Sequence, residues 1–580
     1  MAFGVTPGAG NRIGLALVVC LATLFGGAPH PAPAQEPSAA RAPLGARLPA
    51  ARPDTIPPPP PQTHAMARKA RVSGRIGWLV ADIDTGEVLD AASANHPFVP
   101  ASVAKLPTAA YALDRLGPDH RFVTELLADG PVEAGVLRGD LILAGGGDPE
   151  LDTDALAPIA AAIAKAGITR VEGSLRADPG PLPEIAAIMA EQPPDAAYNP
   201  AVSGLSLNFN RVRLEWPRRA KAEDVRVTAH ATNLKPRTDA VRVRAVQSQA
   251  TVLKHSLAPD HERWDIAAPA LRRKGARWLP VRRPAAYTAR VLEGLAETRG
   301  IAVTGGTIMG GEATATTPIP PAGAGALASL VPLEPQAVAS PNALPNAFPS
   351  ALLSATPSAP RRVLARHESR PLSDILRDML YHSTNLTAEL CGIAAAAGAA
   401  AAPKPTATEG MDLATSAARL NGWAATKAGF APGDPGFQLA NHSGLSLRSR
   451  LSPARLVALL RAAALRPAPA AVHDPRLPDG VAQLLRTHNI AARDIPFDYA
   501  NTAVAAKTGT MTFVRGLAGY VTTPKGRRLA FAIFANDLAR RAASSRSRGW
   551  AGRARALERQ LIREWVRMAD NQASGKPAKP

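Results

Sequence analysis

Three short clusters of residues could do chemistry together. The first is Ser102-Val103-Ala104-Lys105, which sets a hydroxyl and an amine three positions apart. On a helix, positions i and i+3 share a face, so these two groups can meet. A serine hydroxyl is a weak nucleophile until a base takes its proton. Lysine can be that base if burial or a neighbouring cation keeps it neutral. Of the 13 lysines, Lys105 alone has a serine three residues before it. The second cluster, Ser383-Thr384-Asn385, falls between two helical segments, where helix capping alone would account for it. The third, Lys507-Thr508-Gly509-Thr510, lies on an expected strand. Gly509 would let a substrate backbone approach that strand closely. Lys507 and the hydroxyls of Thr508 and Thr510 could hold a carboxylate.

The flanking sequence supplies elements to carry these groups. An apolar run at 76–83 ends at Asp84-Thr85-Gly86, and Val88-Leu89 begins a return strand, a hairpin pattern. A helix is expected from about Ser102 through Leu106 and Ala110, and a second over 371–380 with Ser373 as its N-cap. Residues 141–144 read as a strand closed by a glycine turn, and 301–309 as another strand after a helix at 287–297. Valine alternates with arginine at 225–227 and 241–243, the pattern of half-buried strands. Strands are expected at 503–506, 516–522 and 529–534, the last two joined by the turn Pro524-Lys525-Gly526. Trp550, Leu557, Leu561, Trp565 and Met568 form a helical stripe, read first as core-packing and second as membrane-surface.

Length and charge bound the setting. A chain of 580 residues holds roughly three or four domains. Two cysteines exclude a disulfide scaffold and a multi-thiolate zinc site, and no cofactor or metal is implied. Cys391 is expected to pack in a core. Arg12, the apolar stretch 13–25 and Ala32-Pro33-Ala34 read as a secretory signal, with 1–34 removed on export. A Pro/Ala-rich linker would follow at 35–66. Residues 313–360, with Glu334 as their single charge, read as a flexible low-complexity loop, 394–407 as a second break and 571–580 as a disordered tail. The net charge of +20 favours anionic partners. Export makes nucleic acid a poor one and points to anionic cell-wall material or a membrane surface, contacted through arginine-bearing strand faces such as Arg226 and Arg242.

S-x-x-K, S-x-N and K-T-G in that order match the motif set of β-lactamases and penicillin-binding proteins. With Pro100-Ala101-Ser102, Gly147-Asp148-Pro149, Ser443-Gly444-Leu445-Ser446 and Gly516-Leu517-Ala518-Gly519-Tyr520, the chain resembles the D-alanyl-D-alanine carboxypeptidase/endopeptidase family of low-molecular-mass penicillin-binding proteins, in the subgroup with large inserted domains. The resemblance covers most of residues 70–570. It implies an α+β, penicillin-recognising serine transpeptidase-like fold: an antiparallel sheet flanked by helices, with an inserted, strand-rich domain pair. The fold's first segment would span 67–125, the insertion 126–312 and the second segment 361–570.

The resemblance further implies Ser102 as nucleophile, Lys105 as its base, Ser383 as proton relay, and Asn385 holding the substrate amide or orienting Lys105. Lys507, Thr508, Gly509 and Thr510 would line the site of the terminal carboxylate, and the N–H groups of Ser102 and Thr510 would form an oxyanion hole. Substrates would be peptidoglycan stem peptides and cross-links, β-lactams would be inhibitors, and the compartment would be the periplasm in a Gram-negative host. The middle residue Thr384 departs from the commoner Asp or Asn. A DD-transpeptidase or β-lactamase-like hydrolase is the alternative, and a non-enzymatic wall-binding protein a more distant one. The E-x-x-L-N of a class A β-lactamase and the G-x-S-x-G of a Ser-His-Asp hydrolase are both absent.

Overall fold

The backbone problem posed by the first hairpin is solved by the far end of the chain. Strand β1 (Arg75–Asp82) turns into β2 (Val88–Ala92) through a loop tied by Asp82, whose Oδ1 accepts the N–H groups of Asp84 and Thr85 at 3.0 and 2.9 Å. The free edge of β1 pairs with β5 (Arg528–Asn536). That strand continues a meander with β4 (Val514–Thr522) and β3 (Ala503–Met511). The result is one antiparallel sheet of order β2-β1-β5-β4-β3, joined from segments more than 400 residues apart. In a chain read from one end this pairing costs a large loop closure, and the buried apolar strands offset it. The structure, a computed structural model, describes residues 60–247, 253–309, 361–398, 411–464, 474–488 and 502–572. The expected signal at 1–34 and loop at 313–360 lie outside the described residues.

Both sheet faces are covered, so β4 is buried along its whole length. On one face Leu79, Ala505, Ala518, Tyr520, Ala532 and Phe534 pack with Val103, just before helix α2 (Lys105–Leu116), and with Leu106 in its first turn. Helices α3 (Leu372–His382) and α4 (Asn385–Ala397) join that core. On the other face Trp78, Val80, Leu517, Phe531 and Ile533 meet Leu557, Leu561 and Trp565 of the carboxy-terminal helix α5 (Arg548–Gln572). The helical stripe is therefore core-packing. Helix α1 (Pro61–Lys69) contributes Met66 and Ala67 to the same cluster.

Among the described residues, the region between these segments has its own apolar core and four sheets, built around two helices, Thr153–Lys165 and Pro284–Glu297. Its five-stranded sheet includes Val123–Asp129 paired antiparallel with Arg362–Glu368, so both expected junctions, at 125/126 and near 361, fall within or beside one strand pair.

Several local expectations differ. The residues 61–66 assigned to a linker are helical, because Thr63 is buried and its hydroxyl donates to Pro60 O at 3.0 Å. Ser373 is buried inside α3, where Pro371 holds the N-cap position. The stretch 301–309 is two short strands, Ala302–Val303 and Thr307–Met309, separated by Gly305 and a left-handed Gly306 at φ 70°. Residues 394–397 complete α4, since alanine favours helix and left-handed Gly398 ends it. Asn571 and Gln572 belong to α5, not to a tail. Cys391 is fully buried, and burial pushes its thiol up.

Trp565 joins the two ends of the fold: it is fully buried, and its Nε1 donates to Asp90 Oδ2 at 2.7 Å. Trp565→Ala should lower the unfolding free energy by about 3–5 kcal/mol, read as a lower urea midpoint. An unchanged midpoint would contradict this packing.

Candidate active site

Ser102 lies in a short 3-10 turn, Ala101–Ala104, that runs directly into α2, so the hydroxyl and the Lys105 amine share one helical path as the spacing predicts. Two backbone features hold this turn. Asn536 at the end of β5 accepts Val99 N–H at 2.7 Å, and Ala101 adopts a left-handed φ of 49°. Such strain in a non-glycine residue persists only where the surroundings over-determine it. Here they do: a Cβ on Gly509 would sit 2.6 Å from Pro100 O, and one on Gly444 would sit 2.0 Å from Ala101 O. The expectation that Gly509 makes room for substrate is corrected: its space is filled by the chain leading to Ser102.

Lys105 is completely buried. Its Nζ reaches Asn385 Oδ1 and the Ser443 carbonyl at 2.8 Å each, and Ser102 Oγ at 3.3 Å. The Asn385 amide is oriented by its other end, where Nδ2 donates to Tyr198 O at 2.9 Å, so the inserted region supplies one backbone atom to the site. Desolvation, followed by the Lys507 cation, drives the Lys105 amine well below the usual lysine range; Glu389 opposes them. A neutral amine has two protons and one lone pair. Two carbonyl-type acceptors occupy the protons, which leaves the lone pair for the Ser102 hydroxyl.

Ser383 links the two halves of the site. It follows α3 in the left-handed region (φ 60°, ψ 37°), and its Oγ accepts from Lys507 Nζ at 3.1 Å. Lys507 also donates to Thr508 O at 2.9 Å, and burial, aided by the Arg515 charge, brings its amine down to about 8. Arg515, next to Thr510 across the β3–β4 pair, donates to Thr510 Oγ1 at 2.7 Å and grips buried Glu558 through two bonds of 2.8 and 3.0 Å.

Strand β3 forms the sheet edge. Val504 O and Ala506 N bond outward to His488 N and Arg486 O. By the period of two, the N–H of Thr508 and Thr510 also point to that edge. All eight sequence-expected residues thus gather around one end of α2 and β3.

Reading the sequence missed Glu389, Arg515, Glu558, Tyr198 and the Ser443 carbonyl as parts of this site. Glu389 is fully buried behind Lys105 and accepts the N–H groups of His442 and Ser443 at 3.0 Å each, which fixes the carbonyl that holds Lys105. Its position four residues after Asn385, on one helix face, was the available signal. His442 is fully buried, bonds Ser416 Oγ at 3.0 Å, and is held neutral by burial, with its pKa down to about 3. Among the described residues no cluster of histidine, cysteine or carboxylates could hold a metal.

The D-Ala-D-Ala carboxypeptidase 3 (S13) family matches residues 63–327 and 346–557. The chain belongs to that family. It is 28% identical over 471 residues to a D-alanyl-D-alanine carboxypeptidase of Actinomadura sp. (strain R39), covering 79% of this chain and 77% of that one. Penicillin-binding protein 4 of Haemophilus influenzae has a similar fold, with TM-score 0.57 and 19% identity over 86% of this chain and 99% of its own. A complex of the same protein with a β-lactam gives TM-score 0.54 at 20% identity, over 87% of this chain and 99% of its own. The S13 chain is therefore a serine peptidase of the D-Ala-D-Ala carboxypeptidase type, with a penicillin-recognising α+β fold.

Gly509→Ala tests the contact that seats Ser102. The added methyl must displace Pro100 or Ser102, so peptidase kcat/KM should fall about 100-fold and the thermal midpoint should fall as well. Retained activity would contradict the proposed seating.

Proposed function

We propose that this S13 peptidase is an exported D-alanyl-D-alanine carboxypeptidase and cross-link endopeptidase that works through an acyl-enzyme on Ser102. The observation that carries the reading is the pair of acceptors, Asn385 Oδ1 and Ser443 O, on the buried Lys105 amine. In acylation Ser102 Oγ attacks the carbonyl carbon of the penultimate D-alanine while its proton passes to Lys105 Nζ. The oxyanion is held by the N–H groups of Ser102 and Thr510. When the C–N bond breaks, the leaving amine takes a proton delivered through Ser383, which Lys507 orients. Water then hydrolyses the ester and restores the Ser102 hydroxyl.

Specificity for a chain-terminal carboxylate follows from the same groups. Lys507 spends two donors on Ser383 and Thr508, which leaves one N–H for an incoming anion. Arg515 bonds the Thr510 oxygen, so the Thr510 O–H is free to donate. β-Lactams present a carboxylate and a strained amide to these groups, and we read them as acylating inhibitors. Delivery outside the cytoplasm rests on the sequence pattern at 1–34 and agrees with a wall substrate; no described helix is long and apolar enough to cross a membrane.

Incubation with a fluorescent penicillin should label the protein once per chain, with the label mapping to the peptide that contains Ser102. Ser102→Ala should remain folded and unlabelled, and Lys105→Arg should be acylated at least about 100-fold more slowly. Stoichiometric labelling of Ser102→Ala would overturn the reading. Rapid turnover of the penicillin without accumulated label would favour the β-lactamase-like alternative.

A further inference from the structure

Of the two strand arginines expected to form a free basic face, Arg226 is exposed and outside any ion pair among the described residues, whereas Arg242 is paired. Arg242, on the inserted region's strand Val241–Val246, pairs with Asp260 at 3.3 Å, and its neighbour Arg244 pairs with Asp265 at 2.8 Å. Exposed arginines outside any ion pair occur on loops of the inserted region, among them Arg218, Arg219, Arg272 and Arg273, and a second group of such cations lies behind the catalytic sheet. Helices α1 and α5 run antiparallel there: Arg567 donates to Gln62 Oε1 at 3.0 Å, and Arg553 donates to Arg71 O at 3.1 Å. This brings the exposed Arg68, Lys69 and Arg71 beside the first half of α5. On α5, exposed Arg548, Arg555 and Arg559 fall on one face at spacings of seven and four.

No ion pair reaches any of these side chains among the described residues. Residues 60–81 contain no acid. Residues 538–563 contain one, Glu558, which is buried against Arg515. The apolar stripe of α5 is consumed by the sheet, so this face offers charge without a hydrophobic wedge. Because α2 packs on the opposite side of the sheet, the catalytic groups face away from it.

We propose that the α1–α5 face is a docking surface for an anionic lipid bilayer. A dense, planar array of headgroup phosphates complements closely spaced cations on two packed helices. Peptide carboxylates of the wall are sparser, and as substrate they approach the other side of the sheet. The enzyme would rest on the membrane by electrostatics alone, with its active site turned outward. The inference concerns residues outside the catalytic machinery, so it stands or falls independently of the acyl-enzyme reading.

The test is co-sedimentation of the full chain with phosphatidylglycerol/phosphatidylcholine vesicles and with pure phosphatidylcholine vesicles, from low to high salt. Wild type should bind the anionic vesicles, lose them as salt rises and ignore the neutral ones. Replacing Arg68, Lys69, Arg71 and Arg548 by Gln should weaken binding at least about tenfold while leaving peptide hydrolysis unchanged. The single Lys69→Glu change reads a loss of the same sign with minimal disturbance of the fold. A charge-matched control replaces Arg218, Arg219, Arg272 and Arg273 by Gln, at the cation-rich loops of the inserted region, and should bind as wild type. Equal loss in this control, equal binding to neutral vesicles, or tighter binding to purified wall polymer or duplex DNA than to anionic vesicles would overturn the proposal.

Discussion

An amine sealed away from water, with two carbonyl-type oxygens on its protons, constrains nearly everything else in this protein. Lys105 could be accommodated charged only by a matched and well-placed anion. Glu389 is near, but its oxygens are already engaged by two backbone N–H groups. Burial moves the two groups in opposite directions, lysine down and glutamate up, so both drift toward neutrality. The Lys507 cation adds to the pressure on Lys105. What results is a buried amine with its lone pair available beside the Ser102 hydroxyl, as the proposed base role requires.

Holding that arrangement takes parts from distant places. α2 carries Ser102 and Lys105, α4 carries Asn385 and Glu389, and the 441–444 turn returns the Ser443 carbonyl. β3 adds Lys507, β4 adds Arg515, and α5 adds the Glu558 carboxylate that neutralises Arg515 from behind. Arg515 in turn lowers Lys507, so a chain of cations runs from β4 through β3 to Lys105. The Tyr198 carbonyl joins the inserted region to this network by accepting from Asn385. Leu182, Ile188 and Val202 of the inserted region also pack into the core shared by α2, α3 and α4.

Local pattern explains which parts were legible in the sequence. The i, i+3 spacing of Ser102 and Lys105 survives because both sit on one continuous helical path, and the strand bearing Lys507 follows from its apolar run. The central sheet could be anticipated strand by strand, whereas its order depends on pairing across the whole chain. Glu389 read as an ordinary helix residue because nothing local shows that its helix buries it under a turn 53 residues later. Gly509 was assigned to the right strand and the wrong neighbour, since the close approach of Pro100 is a tertiary fact. The alanines at 394–397 looked like low complexity although alanine is a strong helix former. Arginines at 226 and 242 looked like a free basic face until folding set aspartates beside Arg242.

The protonation of Lys105 is the central claim, and it can be observed directly. Lysine labelled with 13C and 15N, with Lys105→Arg used to assign the signal, gives a Cε and Nζ shift that can be followed against pH. Lys105 is expected to titrate well below the ordinary lysine value of about 10.4, and its midpoint should rise when Lys507→Gln removes the neighbouring cation. A Lys105 signal that stays charged up to the ordinary lysine range, unmoved by Lys507→Gln, would contradict the account.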